Sequence, residues 1–177
     1  MNDYYDKLTR LLHWIMAVII IYATLAGYIM HLVIESHPHL FDFLSVLNMS
    51  LATVGFFLFF IRIIWKFNRP DIHKPTPEST IQKVASKIVH VFLYAFMAIV
   101  FISGFLMLKN DYMLFWLISI PNPISDPEIN DMFFIVHRVS CAGLTLLVLL
   151  HACAALHHHY VRKNNVLYRM IGPTLYS

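Results

Sequence analysis

Four apolar stretches constrain this chain more than any other feature: roughly Leu11 to Leu32, Leu44 to Trp65, Ala85 to Lys109 and Met132 to Tyr160. Each is long enough to cross about 30 Å of hydrocarbon, which takes about 20 helical residues. In lipid a backbone N–H or C=O has no water to turn to, so a spanning segment must be a helix or part of a closed barrel. Across its 177 residues the chain is 59% hydrophobic and only 13% charged, too apolar for an ordinary soluble domain. The expected fold is therefore all-α: an integral membrane four-helix bundle, with residues 1–177 forming one domain.

Four spans put both termini on one side. If that side is the cytoplasm, the inside collects Lys7, Arg10, Arg62, Lys66, Arg69, Lys74, Lys83, Lys87, Arg162, Lys163 and Arg169, leaving Lys109 and Arg138 outside. Eleven cations against two is a strong positive-inside bias, so both termini are expected to be cytoplasmic. The first span has no small-residue cleavage site after it and is expected to be retained rather than removed as a signal peptide. The net charge of +3 is a topology signal; no basic stripe alternates with exposed aromatics, which excludes nucleic acid as a partner and leaves membrane lipid as the surroundings. Pro70, Pro75 and Pro77 mark an inner connector from Asn68 to Thr80. The outer segment from Asn110 to Asp131, with Pro121, Pro123 and Pro127, is expected to lie along the membrane surface.

Histidines carry the chemistry. Imidazole is costly within a membrane helix unless it has a partner, and a metal centre is the partner that uses several. His137 and His151 are 14 residues apart, so at about 100° per residue they return to within about 40° of one direction after a rise of about 21 Å. One helix face thus presents imidazoles at two depths. His13 lies on the first span, antiparallel to the fourth and at the same side as His151. Such a pair can clamp a flat ligand from both faces, as a six-coordinate b-type haem is held. Small residues follow each fourth-span histidine: Cys141, Ala142 and Gly143, then Ala152, Cys153, Ala154 and Ala155. They suit a porphyrin, but they equally suit close helix packing. Cys141 and Cys153 are about 18 Å apart along one helix and cannot form an internal disulfide. No CxxCH motif is present, which excludes covalent c-type attachment.

Further residues are candidates for the haem propionates or a quinone. Within the run His157, His158 and His159, only His158 keeps the face of His151, and the run otherwise reads as a solvated collar. His90, near the inner end of the third span, and Arg62, at the end of the second, have suitable depth; an interfacial histidine and a snorkelling arginine are the plain alternatives. His31, His37, His39 and His73 lie in or beside loops.

The segments LTRLLHWIMA, RIIWKFNRP, HVFLYAFMAIVFISGFLM and VHRVSCAGLTLLVLLHACAALHHHYVRKNNVLYRM together resemble the bacterial cytochrome b561 family of the inner membrane. These are four-helix dihaem proteins related to the haem-carrying subunits of formate dehydrogenase and nickel-iron hydrogenase. The resemblance implies that His13 and His151 are the axial pair of an inner haem, and that His137 is the fourth-helix ligand of an outer one. It also places His90 and His158 near the haems and the quinone region. Characterised relatives oxidise superoxide and reduce ubiquinone, so a superoxide:quinone oxidoreductase is implied.

One family ligand is missing. Counting back from Arg62, the second-helix histidine falls at Asn48, and no histidine lies between His39 and His73. An amide is a poor ligand for haem iron. Three arrangements follow: no outer haem, with His137 hydrogen-bonded to Asn48; an outer haem on His137 alone; or substitution by Met49, His37 or His39. Functionally, the leading expectation is electron transfer by haem b with a quinone as partner. Lys109 and Arg138 are the only outer cations to steer superoxide, against Glu35, Asp42, Asp111, Asp126, Glu128 and Asp131. Rival readings are a membrane-anchoring haem subunit for a partner redox protein, and a non-haem, histidine-lined membrane protein.

Overall fold

The computed structural model describes residues 4–70, 80–164 and 166–172. His73, Lys74, Pro75 and Pro77 of the expected inner connector lie outside the described residues. Four long helices, α1 (Lys7–Val33), α2 (Pro38–Asn68), α3 (Thr80–Leu106) and α4 (Pro127–Leu156), carry the four expected spans. Several ends differ from the hydropathy estimate because caps, not apolarity, terminate a helix. Asp6 caps α1 by accepting from Thr9 N–H at 2.9 Å. Pro38 opens α2, and Pro127 opens α4 behind the Asp126 cap.

α1 packs along α2 and α3 along α4, whereas α2 and α3 touch only slightly. The bundle is therefore two antiparallel pairs joined across a narrow core of Met16, Phe59, Leu93, Met97, Phe101 and Leu144. Gly55 makes that closeness possible. A Cβ there would lie 3.1 Å from the Phe101 ring and 3.2 Å from Ile19. Only 11% to 22% of the most apolar window of each span is buried, so most of its hydrophobic surface faces outward and lipid is the solvent that suits it.

At the end of the bundle away from the described termini, expected to be the outer one, the segment expected along the membrane surface contains a hairpin, β1 (Tyr112–Leu114) and β2 (Ile118–Ile120), paired Tyr112 to Ile120. Its tip holds Phe115 and Trp116 at φ 48° and 61°, a left-handed conformation that non-glycine residues adopt only when contacts hold them there. Those contacts come mainly from α2. Phe115 N–H donates to Ser50 Oγ at 2.7 Å, Thr53 and Tyr112 share a hydroxyl bond of 2.8 Å, and Trp116 stacks on Phe43.

At the opposite end, expected to be the inner one, α4 continues into a π-helical turn, His157–Val161, followed by the short helix α5 (Val166–Ile171). α5 folds back onto the start of α1. Tyr5 N–H donates to Arg169 O at 3.1 Å, Arg10 Nη1 to Ile171 O at 2.7 Å, and Trp14 Nε1 to Met170 O at 3.1 Å. Both ends of the described chain thus meet at one end of the bundle.

Candidate functional site

The inner end gathers side chains from all four long helices. His13 projects from α1 and His151 from α4, with ring centres 6.3 Å apart and planes at 68°. Two imidazoles that ligate one metal from opposite sides, each nitrogen about 2.0 to 2.1 Å away, have ring centres about 6 to 6.5 Å apart. The observed separation lies in that interval. From α2, Arg62 Nη2 donates to His13 Nδ1 at 3.0 Å, and its Nε donates to Tyr94 Oη at 3.2 Å. Lys66 Nζ lies 4.5 Å above the same Tyr94 ring. From α3, His90 sits 5.2 Å from His151, ring centre to ring centre. Its Nδ1–H donates to Ser86 O at 2.6 Å, leaving Nε2 as the nitrogen with a lone pair.

A guanidinium only donates, so the contact from Arg62 makes His13 Nδ1 an acceptor. The neutral ring then carries its proton on Nε2. Binding a metal through that nitrogen requires Arg62 to turn to another acceptor.

The outer end is built differently. His137 Nδ1–H donates to Val100 O at 3.1 Å, with Ser103 Oγ 3.2 Å from the same nitrogen. The ring can lie this close to α3 because position 104 is glycine; a Cβ there would come within 3.2 Å of His137 Cε1. A ring bonded through Nδ1–H to a carbonyl has the tautomer that leaves Nε2 free to ligate. The Cys141 thiol, 3.4 Å away, is directed at Nε2.

Asn48 does not meet His137 in a hydrogen bond, contrary to one expected arrangement. Its Oδ1 is buried with no hydrogen-bond partner, and His137 is satisfied by α3 instead. The substitutes also stay away. His37 and His39 are exposed at the start of α2, and Met49 is buried one residue round the helix from Asn48.

Two readings of the fourth span change. A π-helical turn begins at His157, one residue before His158. His158 Nδ1 accepts from Asn164 Nδ2 at 3.2 Å. The expected solvated collar is only partly solvated, because His159 is buried between Tyr160 and Tyr168, with ring centres 4.7 Å from each. The small residues divide as well. Phe96 fills the space beside Gly143, where a Cβ would fall 2.3 Å from its ring, and Ala152, Cys153 and Ala154 are exposed. At Gly143 the small side chain serves helix packing.

Sequence reasoning overlooked Tyr94, Ser86 and Ser103. Tyr94 follows His90 by four residues and so shares its face of α3, a signal that was available. Nothing local marks Ser103, whose role depends on α4 lying beside it.

At the end expected to be outer, Lys109 Nζ is paired with Asp131 at 2.6 Å, and Arg138 lies over the Phe134 ring. Among the described residues, no group of three or more His, Cys, Asp or Glu side chains is arranged to hold a metal ion.

Residues 4–173 match the family profile of prokaryotic cytochrome b561. The chain is also 23% identical over 174 residues to cytochrome b561 homolog 2 of Escherichia coli (strain K12), an alignment covering 96% of this chain and 92% of that protein.

Proposed function

Because this chain belongs to the prokaryotic cytochrome b561 family, whose members carry electrons on b-type haem in bacterial membranes, we propose that it is a quinone-linked cytochrome whose inner haem is held between His13 and His151. The observation that carries this reading is the 6.3 Å separation of those two rings, from two antiparallel helices of different pairs. Bound there, haem supplies one-electron chemistry at iron, which the protein's side chains cannot supply.

The surrounding residues have defined tasks. His13 and His151 would together hold the haem iron, and with two imidazoles on it the bound group would supply outer-sphere one-electron transfer rather than substrate binding to the metal. Arg62 would pair with a haem carboxylate: its guanidinium would then leave His13 Nδ1, and with the His13 proton on that nitrogen Nε2 would be free to ligate. Tyr94 holds the other side of Arg62 and limits where it can turn. His90, with Nε2 available beside His151, and His158, at the π-helical turn, are the candidates to exchange a proton with quinone at the inner end. The positive-inside bias supports an inner-membrane orientation with both termini cytoplasmic.

Superoxide as donor is the weaker form of this reading. Lys109 is already paired with Asp131, and the outer segments carry six acidic residues. Like-charge repulsion would slow an anionic substrate there.

Reduced-minus-oxidised spectra of the purified chain test the proposal, together with reduction by a soluble quinol. A low-spin b-type spectrum that disappears in both His13→Ala and His151→Ala is the expected result. Purified protein without a Soret band after haem-replete expression overturns it.

A further inference from the structure

We infer that the outer haem position of this chain offers iron a single protein ligand, His137, and that its open face, beside Asn48, binds a small exogenous ligand such as water or a diatomic gas. This rests on the haem reading above and departs from a bis-imidazole pair.

Two independent observations support it. First, His137 is prepared as a ligand: Nδ1–H is committed to Val100 O, the ring is seated against Gly104, and only a neutral thiol approaches Nε2. A thiol is a weak donor and is easily displaced. Second, α2 supplies no imidazole opposite. Asn48 shares a stripe with Gly55, Phe59 and Arg62, which recur at spacings of seven, eleven and fourteen residues. That stripe faces the interior, because Gly55 touches Phe101 and Ile19, Phe59 is in the core, and Arg62 reaches His13. On this inward stripe, the Asn48 Oδ1 is buried and has no partner.

A buried acceptor without a donor is costly, about 1 to 3 kcal/mol, and such a site favours an occupant that supplies one. A water held there would have O–H groups to give to Oδ1, and a diatomic ligand would instead accept from the same amide's NH₂ after a flip. Asn48 is thus a poor axial ligand but a suitable hydrogen-bonding neighbour for the sixth position. The inner haem, with two imidazoles, lacks that position.

Carbon monoxide is the probe, added to the dithionite-reduced full chain in detergent, with haem counted per chain. The expected wild type holds two haems, one low-spin and indifferent to carbon monoxide and one that shifts its Soret band. His137→Ala should abolish the shift and keep the low-spin signal. Asn48→His should convert the responsive haem to low-spin and suppress the shift at least tenfold. Asn48→Leu, close in volume, should keep the shift but release the ligand several-fold faster. One low-spin haem without a carbon monoxide response, or two low-spin haems in wild type, overturns the inference and leaves the inner-haem proposal standing. Unchanged release in Asn48→Leu overturns the role of Asn48. Absence of any haem overturns both proposals.

Discussion

The inner and outer halves of this bundle start from the same fourth helix, each with one inward imidazole, and end as different sites. At the inner end, His151 has the His13 ring centre 6.3 Å away and the His90 ring centre 5.2 Å away, and the Arg62–Tyr94 pair stands against His13. At the outer end, His137 is met by backbone and hydroxyl groups of α3 and by its own helix's Cys141, while α2 contributes Asn48. Periodicity along one helix can therefore repeat a ligand without repeating a site. A two-imidazole site needs a second helix at the right depth carrying the right nitrogen, and among the described residues only the inner half has one.

The largest expected effect that tests this contrast is His151→Ala, which should remove essentially all low-spin haem from the inner position while leaving any outer haem in place. Pyridine haemochrome counts against chain concentration would detect it, and loss of both haems together would mean that the two halves are not independent. Arg62→Leu comes next. It removes the cation against His13 and so, if the proposed inner haem is bound there, disfavours its reduced form and should lower the midpoint potential by about 60 mV, equivalent to a tenfold change for one electron. Redox titration measures this, and an unchanged potential would show that Arg62 does not act on the inner haem.

A smaller effect is expected at the outer hairpin. Ser50 is fully buried, donates to Val46 O and accepts from Phe115 N–H. Ser50→Ala should cost about 1 to 3 kcal/mol, because it leaves that amide unpaired. Hydrogen exchange should accelerate at Phe115 and leave the inner cluster protected; equal acceleration at both ends would contradict the division into halves.

The smallest effect concerns Asp6, outside the spans. Burial raises its carboxyl pKa, but hydrogen bonds from Thr9 and Trp65 outweigh that and hold it below the ordinary carboxylate value. Since the folded form is the stronger acid, its contribution is present above the unfolded pKa and is lost as pH falls through the folded one. Asp6→Ala should cost about 1 kcal/mol at neutral pH, and the gap from wild type should narrow under acid. Thermal melts of the two proteins at pH 7 and pH 3 would measure that narrowing.

Much of this was legible in the residue order. The spans were, because lipid demands about 20 consecutive apolar residues and leaves few alternatives. The alignment of His137 with His151 followed from helical periodicity. The hairpin was not legible: Phe115 and Trp116 occupy left-handed conformations without the glycine or asparagine that normally marks them, held by Ser50 and Phe43 far away in sequence. The π-helical turn at His157–Val161 was likewise invisible.

What the sequence by itself determined is a four-helix membrane chain with two imidazole depths on its last helix and an asparagine where a fourth imidazole was expected. These are properties of length, polarity and period, which act within one segment. Tertiary structure decided the partners: Arg62 on His13 Nδ1, His90 beside His151, Val100 O and Ser103 on His137, and an Asn48 oxygen left without a donor. Hydrogen bonds and ligand geometry are settled over a few ångströms between helices, and the depth and rotation of one helix against another are fixed by packing across the whole core.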